Sequence, residues 1–250
     1  MAQFDNKPIL LLAIAAISLI GILLLQPIHQ DQAYHQFADT RSVFGIPNFA
    51  NVSSNIPFFF VGCLGLYHSI RRSNLSNRLE WSIAFAGIAL VGPGSACYHW
   101  APADGSLVWD RLPMAIGFMA VLSAVLAETG GDRLGRATLV PALTFGLISV
   151  AYWHYTSDLR LYVWVQFMPL LVIAASLALF QTRHSHTRLL TAALLLYIAA
   201  KAAEIGDAQI YTASGFVVSG HTLKHLLAAA ACYCLDRRLL AKEQSDSSQE

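Results

Sequence analysis

Eight apolar segments, each about as long as a membrane span, restrict the folds available to this chain. A helix needs about 20 mainly apolar residues to cross the hydrocarbon core of a bilayer. Such runs cover residues 8–28, 51–70, 81–100, 110–127, 137–154, 161–180, 189–207 and 219–236. Only 12% of the 250 residues are charged, against about 25% in soluble domains. The sequence therefore predicts an all-α, polytopic membrane helix bundle.

The first and last segments are predicted to flank one helical domain. The run within residues 1–28 exceeds the apolar region of about 7–15 residues in a signal peptide, and no small-x-small cleavage site follows it. We expect it to be retained as an additional N-terminal transmembrane helix. Residues 29–236 then form the main domain, and residues 237–250 form a polar tail that is predicted to be disordered.

Basic residues are unevenly distributed between the two ends of the predicted helices. Cytoplasmic loops carry an excess of Lys and Arg. With a cytoplasmic N-terminus, that side holds Lys7, Arg71, Arg72, Arg78, Arg133, Arg136, Arg183, Arg188, Arg237, Arg238 and Lys242. The opposite side holds Arg41, Arg111 and Arg160. We therefore predict that both termini are cytoplasmic.

Three histidines at the outer, periplasmic or luminal, ends of the helices have the spacing of a metal site. His221 and His225 are four residues apart in SGHTLKHLL and so project from one helix face. Two imidazoles at this spacing bind one ion in the zinc-protease helix motif. His99, in GPGSACYHW, would supply a third nitrogen. Three protein ligands with one open position are typical of catalytic zinc, so we predict a Zn2+ site.

Two polar residues near His99 are candidates for catalysis. Asp110 follows His99 across a short turn and would act as a general base or orient a ligand. Ser95 shares the helix face of His99 and would stabilise an oxyanion or hold the substrate carbonyl. Residues 92–94, Gly-Pro-Gly, are predicted to loosen the helix and to admit the substrate. Taken singly, Ser95 could form a hydrogen bond between two packed helices, and Asp110 could pair with Arg111.

A polar stripe on the seventh run is a weaker candidate for substrate binding. Lys201, Glu204 and Asp207 recur every three residues. They would pair among themselves, line a substrate cavity or relay protons. Lys224 lies between the two paired histidines, where a cation opposes metal binding. We expect it to turn away from the metal or to pair with Glu204 or Asp207.

A second polar face precedes and enters the second run. Asn48, Asn51 and Asn55 are spaced three and four residues apart. Their amides would hydrogen-bond the opposing helices or a polar lipid head. We therefore count Asn51 and Asn55 among the candidate substrate-binding residues.

Four of these segments occur in the same order in a known family. They are NVSSNIPFF (51–59), GPGSACYHW (92–100), WDRLPM (109–114) and SGHTLKHLL (219–227). Over roughly residues 40–236 the chain resembles the alkaline ceramidases, within a superfamily of seven-helix membrane hydrolases that includes the adiponectin receptors. The resemblance implies a seven-helix core with zinc on His99, His221 and His225. It also implies an acid near the zinc at Asp110 and a serine assisting at the oxyanion at Ser95.

The reaction implied by this resemblance is hydrolysis of the amide bond of ceramide to a sphingoid base and a fatty acid. Two features depart from the family. The first apolar run adds a helix before the seven, and the calcium-binding acidic cluster is not evident, since Asp31 and Asp39 are the only acids in residues 29–50.

Other functions are open to the same residues. Histidines on facing helices can be axial haem ligands in an electron carrier. Alternatively, a receptor or transporter of this fold would hold a structural zinc, although no internal repeat typical of transporters is evident. The partners we expect are the bilayer and a membrane lipid substrate. A net charge of +1 without a basic, aromatic cluster argues against nucleic acid.

Overall fold

The chain folds into a helix bundle. The computed structural model describes residues 7–71, 77–179 and 185–247, and it contains no β-strand within those ranges. The α-helices are α1 (Lys7–Leu23), α2 (Phe49–Ser53), α3 (Ile56–Arg71), α4 (Arg78–Trp100), α5 (Asp104–Gly130), α6 (Asp132–Thr156), α7 (Arg160–Leu179), α8 (Ser185–Ile205), α9 (Asp207–Ala213) and α10 (Gly220–Ser247). A short 3-10 helix, Gln32–His35, lies between α1 and α2.

Five segments of the described chain are long and apolar enough to cross a membrane. They are Phe49–Arg71, Arg78–Trp100, Asp104–Gly130, Asp132–Thr156 and Arg160–Leu179. A sixth is added if α8 and α9, which are bent by 84° at the break, form one span. The prediction of an all-α polytopic bundle is confirmed. That α1, which is shorter, and α10, which carries charged residues, also cross the membrane stays a prediction.

In the described part of the chain, six helices (α3, α4, α5, α7, α8 and α10) surround a central cavity, while α6 and α1 pack on the outside of this ring. From α3 to α7, each helix contacts the next in the sequence. The long helix α10 packs against both α8 and α3, and α8 contacts α7, which closes the ring. The additional helix α1 packs on α7 and α5. Arg160 of α7 anchors its end by donating hydrogen bonds to the carbonyls of Leu23 and Leu25 (3.0 and 2.7 Å).

Several predicted boundaries are wrong. The first helix ends at Leu23 instead of residue 28, since Pro27 cannot donate a helical hydrogen bond. The second run is broken between α2 and α3. The C-terminal helix continues to Ser247, so the tail predicted to be disordered is helical over 237–247. Arg238 in this extension forms hydrogen bonds with Glu128 of α5, which ties it to the bundle.

Close contact between α4 and α5 depends on a glycine beside the candidate serine. A Cβ atom at Gly94 would lie only 2.2 Å from the carbonyl oxygen of Trp109. Helix α4 is continuous through Pro93. The prediction that residues 92–94 loosen the helix for the substrate is therefore wrong: the space at Gly94 is filled by the backbone of α5.

We expect Gly94→Ala to destabilise the protein by about 1–3 kcal/mol, because neither backbone can yield to the added methyl group. Gly105→Ala is the matched control, since a Cβ there meets nothing within 4 Å. That control should be neutral or stabilising, by up to about 1 kcal/mol. Thermal unfolding of the detergent-solubilised proteins measures both. Equal melting temperatures for Gly94→Ala and wild type would contradict the close-contact explanation.

Candidate metal centre

Three imidazole rings meet at one end of the bundle. The Nε2 atom of His99, at the end of α4, lies 3.2 Å from Nε2 of His225 and 3.3 Å from Nε2 of His221, both at the start of α10. All three side chains are buried. Their nitrogen atoms are close enough together to hold one metal ion.

The spacing of these nitrogens fits a tetrahedral zinc ion. Two ligand nitrogens at about 2.0–2.1 Å from a tetrahedral ion lie about 3.3 Å apart. Hydrogen bonds among the three imidazole rings cannot satisfy all three nitrogens equally well. A neutral ring nitrogen carries either one proton or one lone pair, whereas Nε2 of His99 faces two other nitrogens. A cation at the centre would satisfy all three lone pairs.

Ser54 is placed to support His225 as a metal ligand. The Ser54 hydroxyl lies 3.1 Å from the carbonyl of Asn51 and 2.7 Å from Nδ1 of His225. A metal ligand that binds through Nε2 carries its proton on Nδ1. In that tautomer Nδ1 donates to Ser54 and the hydroxyl donates to Asn51, so both hydrogen bonds are satisfied together.

Replacing Ser54 with alanine should weaken zinc binding by about 10–100-fold, the usual effect of removing a hydrogen-bond partner of a ligand. Ser53→Ala is the matched control, because among the residues that the structure describes the Ser53 hydroxyl bonds only to the carbonyl of Ala50 in its own helix (3.4 Å). Competition with a coloured zinc chelator measures both affinities. If the two variants bind zinc equally well, Ser54 does not orient the ligand.

A glycine and an aspartate fix the start of α10. A Cβ at Gly220 would lie 2.2 Å from the carbonyl oxygen of Ala203, so only glycine permits this approach to α8. Asp207 accepts hydrogen bonds from the backbone N–H groups of His221 (2.7 Å) and Ala38 (2.9 Å). The carboxylate of Asp207 therefore positions His221, and this residue does not line the cavity described below.

The connection between α1 and α2 covers the centre. The ring of Phe37 lies 4.7 Å from that of His99 and 4.8 Å from that of His221. Asn48 donates to the carbonyl of His99 (2.8 Å). Further along, hydrogen bonds from Arg41 hold the pKa of Asp39 below its usual value. The connection thus forms an ordered cover over the histidines.

A cavity of about 640 Å³ leads away from the histidines between α4, α5, α7, α8 and α10. Its polar end includes His225, and its apolar walls reach Leu190 and Leu235. From His225 to Leu235 the helix rises by about 15 Å. This equals half of the hydrocarbon thickness of about 30 Å, which is the depth reached by one lipid chain.

Asp110 and Ser95 line the polar end of the same cavity as His225. Both side chains are buried. The hydroxyl of Ser95 lies near the carboxylate of Asp110. The structure thus brings the two candidate catalytic residues and a candidate ligand to one polar surface.

Glu204 and Lys224 also line this end. Glu204 pairs with Lys201, with Lys224 (Nζ to Oε1, 2.8 Å) and with the hydroxyl of Tyr34 (3.3 Å). Burial raises the pKa of Tyr34 well above its usual value, so that its hydroxyl stays a donor. The expectation that Lys224 turns away from the metal is wrong, because its Nζ lies 3.1 Å from Nε2 of His221. The predicted pairing with Glu204 is present.

The two asparagines predicted to bind substrate are used within the protein. Asn51 accepts a hydrogen bond from Thr222 of α10 (2.9 Å), and Asn55 donates to the carbonyl of Asn51 (2.7 Å). Both side chains are fully buried, and neither lines the cavity. Of the four candidate substrate-binding residues, Glu204 alone lies on its wall.

Arg111 has a role that its sequence neighbours did not reveal. Its guanidinium lies 3.9 Å from the ring centre of Trp153 and 4.7 Å from that of Tyr162. It also donates to the side chain of Gln30 (2.7 Å). This buried cation is therefore held mainly by aromatic rings and an amide.

The family model described as Ceramidase matches residues 44–241 of the chain. The match begins before α2 and ends within α10, so it includes all three histidines, Ser95 and Asp110. The N-terminal helix α1 lies outside it. No curated protein matches the chain.

Proposed function

The chain belongs to the ceramidase family, and we propose that it hydrolyses the amide bond of ceramide or a related lipid amide with a zinc ion bound by His99, His221 and His225. The observation that carries this proposal is the convergence of three buried nitrogens, one of them on His225, which lines the polar end of a cavity as deep as a lipid chain.

The shape of the cavity supports a lipid substrate. The apolar walls would take one hydrocarbon chain, which leaves the amide beside His225, Asp110 and Ser95. We propose that the chain enters laterally from the bilayer, since this route avoids moving apolar surface through water. Glu204, on the same wall, is our candidate for contact with the polar head.

A zinc ion bound by three imidazoles lowers the pKa of a water molecule to about 7 and polarises a carbonyl group. In our proposal Asp110 accepts a proton from the attacking water and delivers it to the leaving nitrogen. The new C–O bond forms at the amide carbon and the C–N bond breaks, which yields a fatty acid and a sphingoid base. Ser95 orients Asp110 and is the sequence-based candidate for hydrogen bonding to the substrate oxygen.

The distribution of charge supports an outward-facing centre with both termini cytoplasmic. Arg78, Arg133 and Arg136 lie at the ends of helices remote from the histidines, and Arg237 lies in the C-terminal part of α10, which is also remote from them. The end that carries the histidines has few basic residues in its loops, Arg41 among them. An excess of Lys and Arg on the cytoplasmic side is the rule for such proteins.

The geometry argues against a haem site. Axial haem ligands approach the iron from opposite sides of the macrocycle. Here the Nε2 atoms of His225 and His221 lie 3.2 and 3.3 Å from Nε2 of His99, which leaves no room for a macrocycle between them.

The test is product formation by purified protein in lipid nanodiscs. Ceramides of different acyl lengths would be supplied, and sphingoid base and fatty acid would be quantified by mass spectrometry before and after zinc removal. We expect both products in equal amounts, with loss on chelation and recovery on zinc addition. Zinc-loaded, folded protein that hydrolyses none of a panel of lipid amides would contradict the proposal and would favour a receptor or transporter with a structural zinc.

A further inference from the structure

Lys224 brings an ammonium group to the candidate metal centre. It lies on α10 between two of the histidines, and its Nζ is 3.1 Å from Nε2 of His221. Its side chain is 17% exposed and lines the polar end of the cavity. A cation in this position repels a metal ion unless a negative charge lies near both of them.

Glu204 holds the ammonium group in place. Its carboxylate accepts a hydrogen bond from Lys224 at 2.8 Å and is itself bound by Lys201 and Tyr34. Since Glu204 accepts hydrogen bonds from three donors, two of which are lysines, its negative charge is shared between Lys224 and Lys201. Lys224 is therefore anchored without being fully neutralised.

Metal binding would remove one hydrogen-bond acceptor of Lys224. The lone pair on Nε2 of His221, which faces the ammonium group here, would be occupied by the ion. One N–H of Lys224 would then point toward the centre without an acceptor. A buried charged donor without a partner is unfavourable, so an oxygen of the ligand is expected to take this place.

Ser95 is a poorer donor for that oxygen. A hydroxyl has one proton, and the nearby carboxylate of Asp110 competes with the substrate for that of Ser95. Lys224 has three N–H groups, of which Glu204 uses one. The ammonium group can therefore serve a second acceptor without releasing the first.

Resting on the proposed function, we propose that Lys224 is a binding site for the anionic oxygen of the reacting acyl group. When water adds to the amide carbon, the π-electron pair of the carbonyl moves onto its oxygen, and a Lys224 N–H stabilises that charge by a hydrogen bond. The lysine keeps its proton throughout. After the C–N bond breaks, the same N–H binds the carboxylate of the fatty acid.

The kinetic test compares Lys224→Met with Lys201→Met, a matched control that removes the other lysine on Glu204. We expect Lys224→Met to lower kcat on the order of 10²-fold with little change in KM, as for the loss of an oxyanion donor. Lys201→Met should change kcat less than about fivefold. Lys224→Arg, which keeps a charged donor, should retain more activity than Lys224→Met. Equal losses in the Lys224→Met and Lys201→Met proteins, or loss of zinc from Lys224→Met, would overturn the inference.

A binding measurement separates this inference from the proposed function. Palmitate and hexadecanol, which has the same chain length, would compete with a fluorescent fatty acid for each protein. We expect Lys224→Met to weaken the binding of palmitate about tenfold or more and to leave the binding of hexadecanol unchanged. Lys201→Met, which removes the other cavity-lining lysine, should weaken palmitate binding much less. The inference would be overturned if Lys224→Met weakened the binding of palmitate and hexadecanol equally, or changed the affinity for neither. If the wild-type protein binds palmitate as expected but hydrolyses no amide, the proposed function fails alone.

Discussion

Replacing His221 with alanine is expected to abolish both zinc binding and ceramide hydrolysis. The variant loses one of three converging nitrogens, and the remaining two, on His99 and His225, lie 3.2 Å apart. Two imidazoles leave half of a tetrahedral coordination shell to water. The loss in zinc affinity should therefore exceed the roughly 10–100-fold effect of removing a hydrogen-bond partner of a ligand. Zinc content by mass spectrometry and product release measure the two effects on one sample.

His154→Ala is the matched control for this experiment. His154 is exposed near the end of α6 and does not line the cavity. Its replacement should leave zinc content and turnover at wild-type values. A His221→Ala protein with normal zinc content and full turnover would refute the assignment of His221 as a ligand.

The second large effect is expected for Asp110→Asn. The amide keeps the shape of the carboxylate but cannot accept a proton, so kcat should fall by about 10²–10⁴-fold, the contribution of a general base. Zinc content should stay at the wild-type value, because Asp110 is not one of the converging ligands. This combination distinguishes Asp110 from His221, whose loss affects both quantities.

Asp104→Asn is the control on the same helix. Asp104 lies at the start of α5, is 43% exposed at its side chain, and pairs with His35 outside the cavity. We expect nearly wild-type kcat. If Asp110→Asn also keeps its kcat, Asp110 does not transfer the proton.

The histidine cluster was accessible from sequence because helical geometry is local. His221 and His225 share a face wherever their helix lies. The predicted orientation of the bundle then put His99 at the same end. Asp110 followed from the short turn after α4, so residues whose relation depends on one helix or one turn were found.

Residues that act across helices were missed. Ser54 contacts His225 from a position 171 residues away, and no spacing rule indicates such a pair. Its neighbours Asn51 and Asn55 were predicted to form an amide face that binds substrate. Their hydrogen-bond partners are instead Thr222 and the backbone. Hydrogen-bond partners between helices depend on rotation and depth, which one sequence does not specify.

Only one of the two alternatives predicted for Lys224 is present. It pairs with Glu204 as expected (2.8 Å) but does not turn away from the histidines, because the charge of Glu204 allows the ammonium group to stay beside His221. A similar argument applies to Gly94. Glycine next to proline indicates a weak helix in isolation. Here the absence of a side chain at Gly94 instead allows the backbone of Trp109 to pack against the helix.

The coordination of zinc in the purified protein tests the central claim most directly. X-ray absorption at the zinc edge should show one zinc per chain with three imidazole nitrogens at about 2.0–2.1 Å and one further oxygen ligand. Sulfur ligands, or protein that stays free of zinc when the metal is supplied, would contradict the account.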